Sequence, residues 1–287
     1  MKYSLPALLF SFLFLSACAN FRLHLEGEAL EEAPSALGEP EFTVYLIGDA
    51  GDTEMGEVPP AVRLLGEKLK TAPENSATVF LGDNIYPDGL PPKHDPGRAL
   101  AEYRLKVQLD ILKDYKGKPY FIPGNHDWYQ DEGRKGVERQ EKFIEKYLGL
   151  GKDVWLPNHG CGDIETENLS KSVVGVFVDS EWYLMNWLKE RELNEGCEIR
   201  SRQNFMFFFQ EALKKNRRKN VVVFMHHPLH TNGGHGGRYS VKQHLFPLTD
   251  LNPRLYIPFP GVGTAFMFLR ATVGSRTDTA HPLYREM

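Results

Sequence analysis

From residue 42 onward, short apolar runs alternate with stretches whose apolar positions recur every three or four residues. Residues 42–47 (FTVYLI) form a run of buried-strand length, 60–69 carry a helical period, and 77–81 (ATVFL) form a second strand, so the folded part opens β-α-β. The stretch 97–115 fits two periods. Leu100, Tyr103, Val107 and Ile111 would line a helix, while Tyr103, Leu105, Val107, Leu109 and Ile111 also alternate as a strand would; length favours a helix. A third strand is predicted over 118–122, a helix over 137–148, a fourth strand over 172–179, a helix over 202–215 and a fifth strand over 220–225, with no internal repeat.

Two apolar stretches break this rhythm. Residues 8–15 (LLFSFLFL) follow a single positive charge at Lys2 and end in Leu15-Ser16-Ala17-Cys18, short of the ~20 residues a membrane span needs. Small residues directly before a cysteine resemble the bacterial lipobox, which implies cleavage before Cys18, a lipid on its thiol and a protein held at the cell envelope, periplasmic or outer-membrane; an ordinary cleaved signal peptide is the alternative. Residues 19–40, rich in Ala, Glu, Gly and Pro, form a tether to the folded domain, expected over 41–287. The second stretch, 255–269 (LYIPFPGVGTAFMFL), is interrupted by Pro258, Pro260 and glycines. It reads either as an exposed or membrane-facing insertion or as a surface packed against a neighbouring part.

Composition narrows the class. With 41% hydrophobic and 25% charged residues over 287 positions, the chain is globular, and the alternation above makes it α/β. A net charge of −4 supplies no overall basic field for nucleic acid. Besides Cys18, Cys161 and Cys197 remain as an even pair that could form a disulfide in an exported chain; zinc binding with His159 is the competing reading. Trp155, Trp182 and Trp187 lie in the same region and are read as packing for a disulfide-bound insertion rather than as a substrate pocket.

The chemistry sits where the strands end. The first strand runs into Gly48-Asp49-Ala50-Gly51, the second into Gly82-Asp83-Asn84-Ile85-Tyr86, the third into Gly124-Asn125-His126-Asp127 and the fifth into His226-His227-Pro228. The carboxyl edge of an α/β sheet is where loops diverge and ligands bind. Each cluster alone could be a turn or a helix cap. Together they offer two carboxylates, a phenol, an amide oxygen and an imidazole, a mostly hard donor set suited to a pair of cations.

The ordered blocks GDAG, GDNIYPDGL, PGNHDW and VVFMHHP resemble those of the calcineurin-like metallophosphoesterases, in particular the purple acid phosphatase branch of the tartrate-resistant type. The resemblance implies a two-sheet β sandwich flanked by helices. It implies a first cation bound by Asp49 and Tyr86, Asp83 bridging, and a second cation bound by Asn125 and His226. His126 would protonate the leaving group, with Asp127 orienting it. A tyrosinate ligand implies Fe(III) at the first position beside Fe(II), Zn(II) or Mn(II), and hydroxide attack on a small phosphorylated substrate, a phosphomonoester. A phosphodiesterase or nucleotidase of the same family is the near alternative. In the family a fifth block, GHxH, gives each cation one more histidine, and no GHxH occurs here; the chain is expected to stop short of that block, with an incomplete second sheet and impaired metal binding, which leaves open a surface lipoprotein with a binding or envelope role. Asn84, His227, His230 and His235 become candidate substrate contacts.

Overall fold

A computed structural model describes residues 38–128, 133–185, 187, 194–250, 252 and 254–287. The expected signal segment with Cys18 and residues 19–37 of the expected tether lie outside the described residues.

Two three-stranded sheets form the centre, as the resemblance implied. In the first, β1 (Thr43–Ile47), β2 (Ser76–Phe80) and β3 (Lys118–Phe121) run parallel with β2 in the middle. In the second, β4 (Glu165–Asn168) is antiparallel to β5 (Val173–Phe177), and β5 is parallel to β6 (Asn220–Phe224). The sequence alternation of period two decides which core each side chain joins. Ala77, Val79, Tyr120 and Ile122 from the first sheet meet Phe177 and Phe224 from the second, with Tyr120 and Phe177 ring centroids 4.8 Å apart. The opposite face of the first sheet, with Phe80 stacked on Phe121 at 4.1 Å, packs against helices Pro60–Leu69, Arg98–Asp110 and Arg134–Leu148. Val174 and Val176 turn to the far side of β5, where they join the same core as Trp182 and Phe205.

Helix Pro60–Leu69 and helix Arg202–Lys215 occupy the spans their periodicity predicts, the first opened by proline at its N-terminus and the second capped by Ser201, whose hydroxyl accepts from Asn204 N–H at 3.0 Å. The ambiguous stretch 97–115 is a helix over Arg98–Asp110 followed by turns. Several elements depart from expectation. β4, sequence ETEN, carries no apolar alternation, so the strands read as fourth and fifth are fifth and sixth. In 255–269 the loop gives way to a helix, Val262–Val273, seated by Gly263 and Met267 against the segment around His244. The C-terminal residues also form an element: helix Pro282–Glu286 packs Tyr284 on His227, ring centroids 5.9 Å apart, and its hydroxyl donates to Pro228 O at 2.6 Å.

Candidate metal centre

The three parallel strands of the first sheet and β6 of the second deliver their carboxyl ends to one place. There the loops after β1 and β2 are knitted by Asp49 N–H to Gly82 O and Gly51 N–H to Asp83 O, both 3.1 Å. Asp49 and Asp83 sit in the left-handed region, with φ of 55° and 54°. Non-glycine residues held there mark over-determined, functionally constrained turns, and aspartate tolerates the region better than most. Glycine is required beside them. A Cβ on Gly82 (φ 91°) would lie 2.6 Å from Gly124 N, and one on Gly124 would lie 2.4 Å from both the nitrogen and Oδ1 of Asp83.

Five of the expected ligands form one continuous chain of contacts with Asp83 in the middle. Tyr86 directs its hydroxyl at Asp49 Oδ1 (2.9 Å) and Asp83 Oδ2 (2.8 Å). On the other side Asp83 Oδ2 is 3.5 Å from His226 Nε2, and that nitrogen is 3.1 Å from Asn125 Oδ1. Ligand atoms of Asp49, Asp83 and His226 all lie within 4.8 Å of one another.

The protons of this cluster fit cations. His226 Nδ1 faces Leu81 O at 2.8 Å, and a carbonyl only accepts, so Nδ1 carries the hydrogen. Nε2 faces a carboxylate oxygen and an amide oxygen, both acceptors, and a cation placed among the three would satisfy all of them. A carbonyl behind a ligating imidazole is also the usual way a metal-bound histidine is oriented. On the other side, one phenolic hydrogen serves two carboxylates. Burial, followed by the hydrogen bond and charge of Asp83 and then Asp49, pushes the Tyr86 phenol far above its ordinary range. A cation between these oxygens would replace that proton.

Around the ligands is a buried frame that spacing alone does not reveal. Asp127, expected to orient His126, instead accepts from Gly124 N–H (2.8 Å), Asn84 N–H (2.9 Å), the Asn84 side-chain amide (3.0 Å) and Gln140 Nε2 (2.8 Å). Burial and the Asp83 charge push it up to about 6 against the downward pull of the Gln140 and Gly124 bonds. The His126 ring is placed otherwise: Nδ1 meets Pro87 O, which fixes the hydrogen on Nδ1 and leaves Nε2 as the other proton site, and the ring lies 4.3 Å from that of Tyr86. Its backbone N–H donates to Asp83 Oδ1 at 2.9 Å, holding the carboxylate expected to bridge. Asn84, expected at the substrate, is buried and donates inward to Ile122 O at 3.0 Å. Arg104 donates to Thr53 O (2.6 Å) and Tyr86 O (2.7 Å), and Gln108 to Asn84 O (2.8 Å). Arg104, Gln108 and Gln140 are buried on helices, and a polar residue in the apolar phase of an amphipathic helix is the signal that would find them.

The remaining candidates separate. His227 turns away from the surface: it is buried, Nδ1 lies 2.8 Å from Ser180 Oγ, and burial first, then His226 and His235, lowers it to about 3. His230 lines an open cleft of about 470 Å³ with Thr231, Asn232, Arg238 and Thr279. His235, four-tenths buried at the side chain, is pinned at Nδ1 by Asp278 Oδ1 at 2.8 Å and at its carbonyl by Thr279 N–H at 2.8 Å. Cys161 and Cys197 are joined by a disulfide with Cα atoms 5.6 Å apart, which takes both thiols out of reach of zinc. His159 instead lies against Glu141, whose carboxylate accepts from its backbone N–H at 2.8 Å.

The sequence profile of the family described as calcineurin-like phosphoesterase matches residues 42–257. The chain is similar to purple acid phosphatase 7 of Arabidopsis thaliana, 22% identical over 231 residues that make up 78% of this chain and 65% of the relative. It is also similar to purple acid phosphatase 3 of the same plant, 22% identical over 209 residues, 71% of this chain and 52% of the relative. The chain thus spans between half and two thirds of the length of these curated relatives.

Proposed function

Because the chain belongs to the calcineurin-like phosphoesterase family, we propose that it hydrolyses phosphomonoesters at a two-cation centre held by Asp49, Tyr86, Asp83, Asn125 and His226. The observation that carries this reading is the unbroken run of contacts from Asp49 through Tyr86, Asp83 and His226 to Asn125, with Asp83 placed to serve both halves. Similarity to purple acid phosphatases supports the choice of phosphoric esters, and the phenol of Tyr86 supports iron in the ferric state on the Asp49 side. Bound cations would supply neutralisation of phosphoryl oxygens and a water acidic enough to be a nucleophile near neutral pH.

The residues of the chain do the rest. Asp83 is kept in one orientation by the His126 N–H, so Oδ2 stays aimed at the centre. His126 carries its second proton on Nε2 when charged and passes it to the departing alkoxide as the P–O bond breaks and the bond from water to phosphorus forms. His230 and His235 follow β6 in the chain and are our candidates for contacts to the phosphate or its alcohol. The apolar run 8–15 ending at Cys18 supports export with a lipid anchor; labelling of the wild-type chain, but not of Cys18→Ser, with an alkynyl fatty acid tests it.

Metal analysis tests the centre together with hydrolysis of an aryl phosphomonoester and the matching diester, before and after chelation. Two cations per chain, loss of monoester turnover on chelation and visible absorption from a ferric tyrosinate that vanishes in Tyr86→Phe are expected. Asp83→Asn should lose both cations and at least about a hundredfold in kcat/KM. Fewer than one cation per chain in protein that is folded, or near wild-type turnover in Asp83→Asn, would overturn the assignment.

A further inference from the structure

Helix Val262–Val273 is built inside out. Its seated side is narrow: Gly263, where a Cβ would lie 2.2 Å from His244 O, fully buried Met267, and Arg270, which donates to Asp278. Val262, Phe266, Leu269 and Val273 recur at spacings of four, three and four, the stripe of one helix face, and that face is open to solvent. Val262 is 68% and the adjoining Phe268 70% exposed. The preceding loop continues the surface with Tyr256 and Ile257, both exposed. A soluble surface rarely carries an apolar expanse of this extent without a partner.

The charge around it is equally one-sided. Across residues 229–278, Arg238, Lys242, Arg254, Arg270 and Arg276 stand against Asp250 and Asp278, five to two for +3, in a chain whose total is −4, and Arg270 is ion-paired with Asp278. An apolar helix face set in a basic segment of an acidic protein is the combination that binds anionic bilayers at the interface, the apolar side chains entering the acyl boundary and the cations meeting headgroup phosphates. A second copy of the chain fits less well, since it would bring two positive segments face to face. No helix among the described residues is long and apolar enough to cross a membrane. This one, of 12 residues, spans about 18 Å along its axis, against roughly 30 Å of hydrocarbon.

We infer that the face formed by 255–259 and the outer side of helix Val262–Val273 is a docking surface for an anionic phospholipid bilayer. The anchor proposed at Cys18 adds proximity. The surface itself does not depend on that anchor, nor on the hydrolytic reading of the site.

The test uses the full chain carrying Cys18→Ser, with and without Phe266→Asp and Phe268→Asp, and vesicles of phosphatidylcholine alone or mixed with phosphatidylglycerol. Both phenylalanines are exposed, so the substitutions leave the core intact; circular dichroism and the thermal midpoint check this. A photoactivatable phospholipid should label peptides from 255–273 in the parent and not in the double variant. Binding to phosphatidylglycerol vesicles should fall by about tenfold or more in the double variant, the loss expected when two aromatic rings no longer leave water. Parent binding should weaken with added salt. Label confined to other parts of the chain, equal binding of parent and double variant, or a parent that sediments as a dimer the double variant does not form would overturn the inference; the last would assign the face to a second copy.

Discussion

Asp83 Oδ2 accepts from the Tyr86 hydroxyl at 2.8 Å while Asp83 Oδ1 accepts from the His126 backbone at 2.9 Å. The two oxygens of one buried carboxylate are therefore claimed from opposite sides, by the loop after β2 and the loop after β3. Asp83 cannot rotate without breaking one of these bonds, and its fixed direction is what makes a bridging role geometrically sensible.

Gly124→Ala tests how tightly that carboxylate is packed. The new methyl would sit 2.4 Å from Asp83 Oδ1 and 2.9 Å from His226 Nδ1, with neither neighbour free to retreat because both are hydrogen-bonded in place. The variant should lose about 1–3 kcal/mol of stability, the cost of overpacking, and bind cations at least tenfold more weakly. Urea unfolding and metal titration read the two effects; retention of wild-type affinity would show that the loop gives way more easily than its contacts imply.

His126→Gln should slow an alkyl phosphate by about 10²- to 10⁴-fold and an aryl phosphate with a good leaving group far less. Kinetics on a series of leaving groups measure the difference. Equal losses across the series would remove the acid role from His126 and leave it as the residue whose N–H holds Asp83.

Glu141 makes stability depend on pH. It is 1% exposed, and burial pushes its pKa from the ordinary 4.5 up to about 7, opposed by the hydrogen bond from His159 N–H. Between those values the native protein keeps a proton that the unfolded chain has released, so stability falls as pH rises through the window, by up to about 1.4 kcal/mol per pH unit. Glu141→Gln should make the dependence shallower, leaving the part that comes from the other buried carboxylates such as Asp127 and Asp179. Urea unfolding below 4.5 and above about 7 measures it, and a slope unchanged by the substitution would place the titrating group elsewhere.

The Cys161–Cys197 disulfide closes a loop with a sequence separation of 36. In the chain-entropy account such a closure contributes about 3–4 kcal/mol. Cys161→Ala with Cys197→Ala should lower the unfolding free energy by that order while leaving the five ligands in place, so catalysis per folded molecule should stay within about twofold. A selective loss of turnover would mean that the insertion reaches the substrate.

Much of this architecture was legible because local signals and burial agree. Pro59-Pro60 opens helix Pro60–Leu69 and its apolar Val62, Leu65 and Leu69 mark the buried side; β2 is apolar enough to declare itself and is buried at all five positions. β4 was not legible, since an edge strand of sequence ETEN alternates only between partly and fully exposed positions. Helix Val262–Val273 was hidden by the prolines before it and by Gly263, since an internal glycine ordinarily weakens a helix; the approach of Gly263 to His244 O is a tertiary demand that no local pattern announces. At the site, residue type and strand-end position were enough to gather Asp49, Asp83, Tyr86, Asn125 and His226. They were not enough to say which neighbours face inward: Asn84, Asp127 and His227 adjoin ligands in sequence yet belong to the buried frame.

The bond from His226 to Leu81 spans 145 residues of chain, and it joins the far sheet to the near one. Asp49, Asp83 and Asn125 leave the ribosome long before the imidazole that completes their company. A cation held by all of these side chains would therefore be captured only after β6 has docked, late in folding.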